Sequence, residues 1–335
     1  MSIQGINNNV NFNGLDLFKF VMAFLVVAIH VIPTIDTTSL FNSLFQTILN
    51  TAVPFFFITT GYLLEMKIER RGNTSKKIYY GFLKSSLKLY LIWSLIYFPL
   101  SLYGLWINNE LNTRGIGQII KNILIKGDNY FSWPLWYLLT LVYFGLLLLI
   151  KERLKWALLV IFVLISIITI FSSLLSTYSS IFFIEKVNEI LYSHFGGLRI
   201  VFGFLYLLLG MLIMEKKIYI PLAISVSLIL SSLVFEIVIN DLFFLPISGL
   251  IAFFVFQVAL KVKLGNMIFS NNLRKSSSVI FLTHMLFYFI ILNISSTYII
   301  SNPVIYILVI SLTLISSVIV IKNWANFRIL NYIFP

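Results

Sequence analysis

Residues 16–33 read DLFKFVMAFLVVAIHVIP, an apolar stretch that carries Lys19 near its start and His30 eleven residues later. An α-helix rises about 1.5 Å per residue, so the two side chains lie roughly 16 Å apart along the axis. That is about half of a bilayer's hydrocarbon core, which puts the imidazole well inside the lipid. Eleven steps of about 100° come within roughly 20° of three full turns, so both residues face one groove. Ionisable side chains at membrane depth are costly and mark functional sites. The competing reading is a histidine bonded to a neighbouring helix for packing alone. Asp16 stands three residues before Lys19, on the same face, and is placed to pair with it.

The rest of the chain has the same apolar character. Of its 335 residues, 59% are hydrophobic and only 11% are charged, and the mean hydropathy is +0.97. A soluble domain needs far more charge on its surface, so the composition predicts an all-α, polytopic membrane bundle. About ten transmembrane helices are expected, over residues 16–33, 43–65, 82–104, 132–150, 156–175, 198–214, 218–239, 242–260, 277–295 and 302–321. Placing the N-terminus inside assigns 19 of the 24 Lys and Arg residues to the cytoplasmic face and 5 to the outer face. That asymmetry predicts an N-in, C-in orientation. It also explains the net charge of +12 without nucleic acid, since basic loops face anionic lipid of the inner leaflet. No linker divides residues 1–335, which read as a single integral-membrane domain. The leader MSIQGINNNVNFNG lacks the basic start of a cleavable signal peptide. Cysteine is absent, which excludes disulfides and thiolate chemistry, and no metal site is expected.

Other polar residues sit at defined places. In VPFFFITTGYLLEMK, Pro54 is expected to break the second span near its middle, with Thr59, Thr60 and Gly61 forming a packing seam. In FLKSSLKLY, Lys84 and Lys88 lie four residues apart, as membrane anchors or as a phosphate clamp. In WPLWYL, Trp133, Trp136 and Tyr137 suit an interfacial aromatic belt. Arg199 either snorkels to the interface or holds an anionic or carbonyl group of a substrate. His284 lies several residues into the membrane from a basic loop at Arg274 and Lys275. Two long connections, 105–131 and 176–197, are candidates for lids or short interfacial helices. The second holds Glu185, Glu189 and His194.

These pieces together resemble the integral-membrane acyltransferase-3 family. The matching stretches are LDLFKFVMAFLVVAIH, VPFFFITTGYLL, FLKSSLKLY, WPLWYL, RIVFGFLYLLLGMLI and SSVIFLTHMLF, in the family's order from one end of the chain to the other. The texture is similar to the membrane half of the membrane-bound serine racemases of vancomycin resistance. Their pyridoxal-dependent half has no counterpart in these residues, so racemisation is not expected. The extracellular hydrolase-like domain of some relatives is likewise not seen.

The resemblance implies O-acyl transfer at the cell membrane, usually of acetyl from cytosolic acyl-CoA to a hydroxyl of a cell-envelope glycan or lipid-linked glycan. It assigns His30 as the catalytic base and Lys19 to a position where the family normally has arginine. Lys84 and Lys88 match its basic cluster and would hold the donor's phosphates. Arg199, Trp136 and His284 are candidate substrate contacts. Thr60 replaces the more usual serine before Gly61. Two other functions compete. One is a transport protein for an amino acid such as serine or for a glycan precursor. The other is a partner-binding membrane protein with a degenerate site.

Overall fold

The computed structural model describes residues 13–32, 40–71, 75–151, 157–161, 163–164, 167, 199–239, 244–263, 267–295, 301–324, 326–327 and 329–334. The described residues are helical with no strand. In chain order the helices are α1 (Asn13–Val31), α2 (Leu40–Asn50), α3 (Ala52–Arg71), α4 (Ser75–Ile107), α5 (Thr113–Ile125) and α6 (Leu135–Lys151). After a gap come α7 (Arg199–Glu215), α8 (Leu222–Ile239), α9 (Phe244–Lys261), α10 (Met267–Ser295), α11 (Asn302–Lys322) and α12 (Leu330–Ile333). Five stretches, Asn13–Val31, Leu44–Arg70, Ser75–Ile107, Ile268–Ser295 and Asn302–Lys322, are long and apolar enough to cross a membrane. The expected span 156–175 and the 176–197 connection lie wholly or largely outside the described residues.

Lipid offers no hydrogen bonds, so each span must satisfy its own backbone, and helix is the local answer. Large side chains such as Leu95, Ile150 and Ile307 stay exposed on the outside of the bundle. In water they would form a sticky patch, but against lipid they need no cover. Phe55, Phe57, Trp93, Tyr97, Phe144 and Phe256 fill the inside.

Three helix boundaries differ from the sequence expectation, each for a physical reason. The break in the second span falls at Thr51, between α2 and α3. Pro54 sits in the first turn of α3, where a missing backbone N–H costs nothing. Thr51 caps the break by donating its hydroxyl to the Ile48 carbonyl at 2.6 Å. Arg274 and Lys275 belong to α10, not to a loop, because the helix continues about two turns past its apolar stretch. α1 ends at Val31, just ahead of Pro33, which disfavours helix in the residue before it. His30 therefore lies in the last turn of α1.

Helix α3 packs along α7, α1 along α10, α10 along α11, α4 along α6 and α8 along α9. The α3–α7 contact is a backbone contact. A side chain at Gly61 would run into the carbonyl of Leu207, and one at Gly210 into the carbonyl of Ile58. The two glycines face each other's helix, so neither backbone is held off by a Cβ. Beyond the seam, Lys217 Nζ pairs with Glu69 Oε2 at 2.5 Å and ties the two helix ends.

The 105–131 connection is a helix tucked against its neighbours. Asn112 caps α5 by accepting from the Gly115 amide at 2.9 Å. The far end of α5 is held on α4 and α6: Tyr90 donates to the Ile123 carbonyl at 2.5 Å and Tyr143 to the Leu124 carbonyl. Ile116, Ile120 and Leu124, four residues apart, form its exposed apolar stripe.

Gly61→Leu and Gly210→Leu should each destabilise the fold, because overpacking costs about 1–3 kcal/mol even where side chains can yield, and here the obstacle is backbone. Gly81→Ala is the control, since nothing lies within 4 Å of a Cβ there. Thermal unfolding in detergent should show clear losses for the first two and none for the third.

Candidate active site

Beside α1 a cavity and a histidine pair follow one another, and their residues fall into four layers, from a basic end to a histidine end. Each contributing helix runs through several layers at intervals of about one turn. On α10 the order is Arg274, Ser277, Phe281, His284; on α3, running the opposite way, it is Lys67, Leu64, Thr60, Phe56. On α6 and the turn before it the order is Leu141, Tyr137, Trp133. The Ser277 hydroxyl donates to the Lys19 carbonyl at 3.0 Å, and the His284 ring stacks on His30. α1 and α10 therefore run in the same direction and set the level of both histidines.

The first two layers are a cavity of about 470 Å³. Lys19, Lys67, Lys77 and Arg274 line it, with the hydroxyls of Ser85, Ser277 and Ser278 between them. No carboxylate is among the described residues that line it. Lys67, Lys77 and Arg274 are exposed at the rim, and Lys19 is half-buried deeper in. Asp16 is turned to α10, where its Oδ2 accepts from the Ser270 hydroxyl at 2.7 Å. Four cations and several hydroxyls suit a polyanion such as a phosphate-bearing ligand.

The third layer is aromatic. Phe56, Phe281 and Tyr137 touch one another, with ring centroids 5.9 Å apart for Phe56 and Phe281, 5.4 Å for Tyr137 and Phe281, and 6.3 Å for Phe56 and Tyr137. The three also line the cavity, so they form its inner wall. A 2.9 Å hydrogen bond between the Tyr137 and Thr60 hydroxyls holds the tyrosine ring.

The fourth layer holds the histidines. His30 is half-buried between His284, at 5.4 Å and 22° between ring planes, and Trp133, at 5.8 Å and 34°. His284 is completely buried and lies 6.3 Å from Phe281. Its Nδ1 is 3.1 Å from the Ile280 carbonyl. A carbonyl can only accept, so this contact assigns the proton to Nδ1 and leaves Nε2 as a bare acceptor. That Nε2 is buried and has no partner among the described residues. Trp133 is 40% exposed. Beside it Phe131 adopts φ 59°, a conformation bulky residues avoid, with its ring against Trp133 and Phe289.

Of the expected site residues Lys19 lines the cavity, while His30 and His284 meet beyond Phe281 and are not among the residues that line it. Lys84 and Lys88 do not line it. The α4 face that does runs through Lys77, Gly81 and Ser85, while the Lys88 ammonium sits 3.2 Å from the centre of the Tyr332 ring. Arg199 is also elsewhere. It forms an ion pair with Asp128 and lies over Trp136, 5.3 Å from the ring centre. Trp136 packs on Phe57 at 5.6 Å. Residues not expected at the site are Lys67, Lys77, Arg274, Phe56, Tyr137, Phe281 and Trp133. The signals for the aromatic ones were their spacings: Trp133 and Tyr137 are four apart, and Phe281 falls one turn before His284.

The acyltransferase domain profile matches residues 12–322. Among curated proteins, an amino-acid racemase of Enterococcus faecalis is 31% identical over 150 residues, 42% of this chain and 20% of that protein. A serine/alanine racemase of Enterococcus gallinarum is 34% identical over 137 residues, 40% of this chain and 19% of that protein. The match thus spans about a fifth of the length of these relatives. No solved structure matches the chain. With the profile covering nearly all of its length, the chain belongs to the integral-membrane acyltransferase-3 family.

Proposed function

We propose that this protein is a cell-membrane O-acyltransferase with about ten spans, oriented N-in and C-in. It takes an acyl group, acetyl in the simplest case, from cytosolic acyl-CoA and passes it to a hydroxyl of a cell-envelope glycan. The observation that carries this reading is a cavity lined by four cations with a stacked histidine pair just beyond its aromatic wall. The charge asymmetry of the loops favours the cytoplasmic side for the basic end, where a phosphate-bearing thioester is found.

In this reading Lys67, Lys77 and Arg274 gather the donor's phosphates at the rim, and Lys19 holds an oxygen deeper in. The thin acyl-bearing arm extends along the groove towards His30. The acceptor arrives from the Trp133 side. His30 takes the proton of its hydroxyl while the oxygen attacks the thioester carbonyl. The carbon–sulfur bond breaks, the thiolate leaves, and the proton on His30 is returned to it. General-base help of this kind is worth about 10²–10⁴-fold. Holding the two reactants at one end of a groove contributes through proximity. His284 offers its bare Nε2 to a second hydroxyl of the acceptor. A different reading, transport of an amino acid such as serine, is favoured by one observation: the curated relatives are named as racemases acting on amino acids.

His30→Ala should abolish acylation of envelope glycans, read by mass spectrometry, while the protein still inserts and accumulates. Normal acylation by that variant would remove His30 from the chemistry. A transport protein would leave the glycans unchanged in every variant, including a deletion.

Lys19→Met should raise the apparent KM for acyl-CoA on the order of 10–100-fold, because a charge-assisted hydrogen bond is worth about 1.5–3 kcal/mol. Lys19→Arg should keep or improve activity, as the fork can hold two oxygens. At the exposed rim Lys77→Ala and Arg274→Ala should each cost about two- to fivefold. Equal or larger effects from Lys84→Ala and Lys88→Ala would move the donor to the other face of α4.

Orientation has its own test. The chain has no cysteine, so single cysteines report their own side of the membrane. Ser75→Cys should be shielded from an impermeant thiol reagent in intact cells and Gly117→Cys should react. The reverse pattern would invert the topology and place the basic end outside.

A further inference from the structure

We infer that the aromatic layer of Phe56, Tyr137 and Phe281 is the element that selects the acyl group by size. This rests on the reading of the basic cavity as the thioester donor's site. The donor's charged part is held where Lys19, Lys67, Lys77 and Arg274 lie, and the base that uses its acyl group is His30. Phe281 stands between these places on α10, one turn past Ser277 and one turn short of His284. Phe56 closes the same level from α3 and Tyr137 from α6, with all three ring pairs in contact. An acyl group travelling from the cavity to His30 has to pass between these rings.

The layer is built to open narrowly. Phe56 and Phe281 are held by packing and are only half-buried, since one face of each looks into the cavity. Tyr137 is held by packing and by its bond to Thr60, which also lines the cavity. Three large rings, two of whose pairs meet edge to face and the third at a tilt, admit a short chain by small rotations. A long chain needs one ring to leave altogether. The same rings keep water in the cavity away from the histidine end, which protects a thioester from hydrolysis until the acceptor is present. A methylene too many in a tight apolar passage typically changes a rate by about 10–200-fold, enough for real selection.

The test uses the purified full chain, with acetyl-, butyryl- and octanoyl-CoA as donors. The acceptor is the envelope glycan fraction of cells that lack the gene. Released CoA is read with a thiol reagent, which sees no background from a protein without cysteine. The wild type should favour acetyl over octanoyl. Phe281→Ala, and to a smaller degree Phe281→Leu and Phe56→Leu, should raise the octanoyl-to-acetyl ratio by about tenfold or more. Phe144→Leu removes a buried aromatic outside the layer and should lower all three rates together, leaving the ratio unchanged. If the leucine variants turn over acetyl-CoA with the wild-type preference, the layer does not select the acyl group. If the wild type releases CoA from none of the three, the donor reading itself fails and the filter falls with it.

Discussion

A charged or strongly polar side chain cannot face lipid without a large cost, and the whole arrangement of α1 follows from that. Lys19 and His30 sit on one face of an otherwise apolar helix, so that face must be covered by protein or by an internal cavity. Helices α10 and α3 supply much of the cover. α10 runs alongside in the same direction and gives serines near Lys19 and a second histidine at His30. α3 runs the other way and brings Lys67 to one end and Phe56 to the other. α3 is itself pinned to α7 by the backbone contact at Gly61 and Gly210. The seam lies on the side of α3 away from the groove, yet it fixes where the groove's wall stands.

Polarity is graded along α1. Exposed cations at the rim give way to hydroxyls, then to three rings, then to a histidine pair with one bare nitrogen. A chain of helices with residues at intervals of about one turn produces such layers almost automatically, because each turn repeats a face. What is specific is the register. The buried Nε2 of His284 has no hydrogen-bond partner among the described residues, and a buried acceptor left unmet costs roughly 1–3 kcal/mol. A hydroxyl arriving in the ring plane would remove that cost. The stacked His30 cannot, because it lies over the face of the ring and not along its lone pair.

Much of this was legible in the sequence. The helical period alone put Lys19 and His30 on one face, and hydropathy gave the membrane class. The small residues around Gly61 announced a close helix approach. The failures share a cause: hydropathy marks the part of a helix in lipid and not the helix itself. α4 and α10 run on beyond their apolar stretches, so Lys77 and Arg274 are helical and face the cavity, where a loop or a membrane anchor was expected. Lys84 and Lys88, four residues apart and matching the family's basic cluster, are not among the described residues that line the cavity. Which of several lysines on α4 meets the groove depends on how α4 is rotated against α6, and no local pattern encodes that. Pro33 follows α1 closely, so His30 stands in the last turn of the helix. Trp133 looked like an interfacial belt residue because its partner, His30, is more than a hundred residues away in the chain.

The central claim is that the basic cavity holds the nucleotide-bearing end of a CoA thioester, and Gly81 allows a direct measurement. It lines the cavity on α4, and a Cβ there meets nothing within 4 Å, so a lone cysteine fits without disturbing the wall. Gly81→Cys in the cysteine-free chain can be alkylated with a maleimide in detergent, with and without CoA. The account predicts that CoA slows alkylation at position 81 in a concentration-dependent way and leaves Gly117→Cys, on α5, unaffected. Equal rates at position 81 with and without saturating CoA would contradict it.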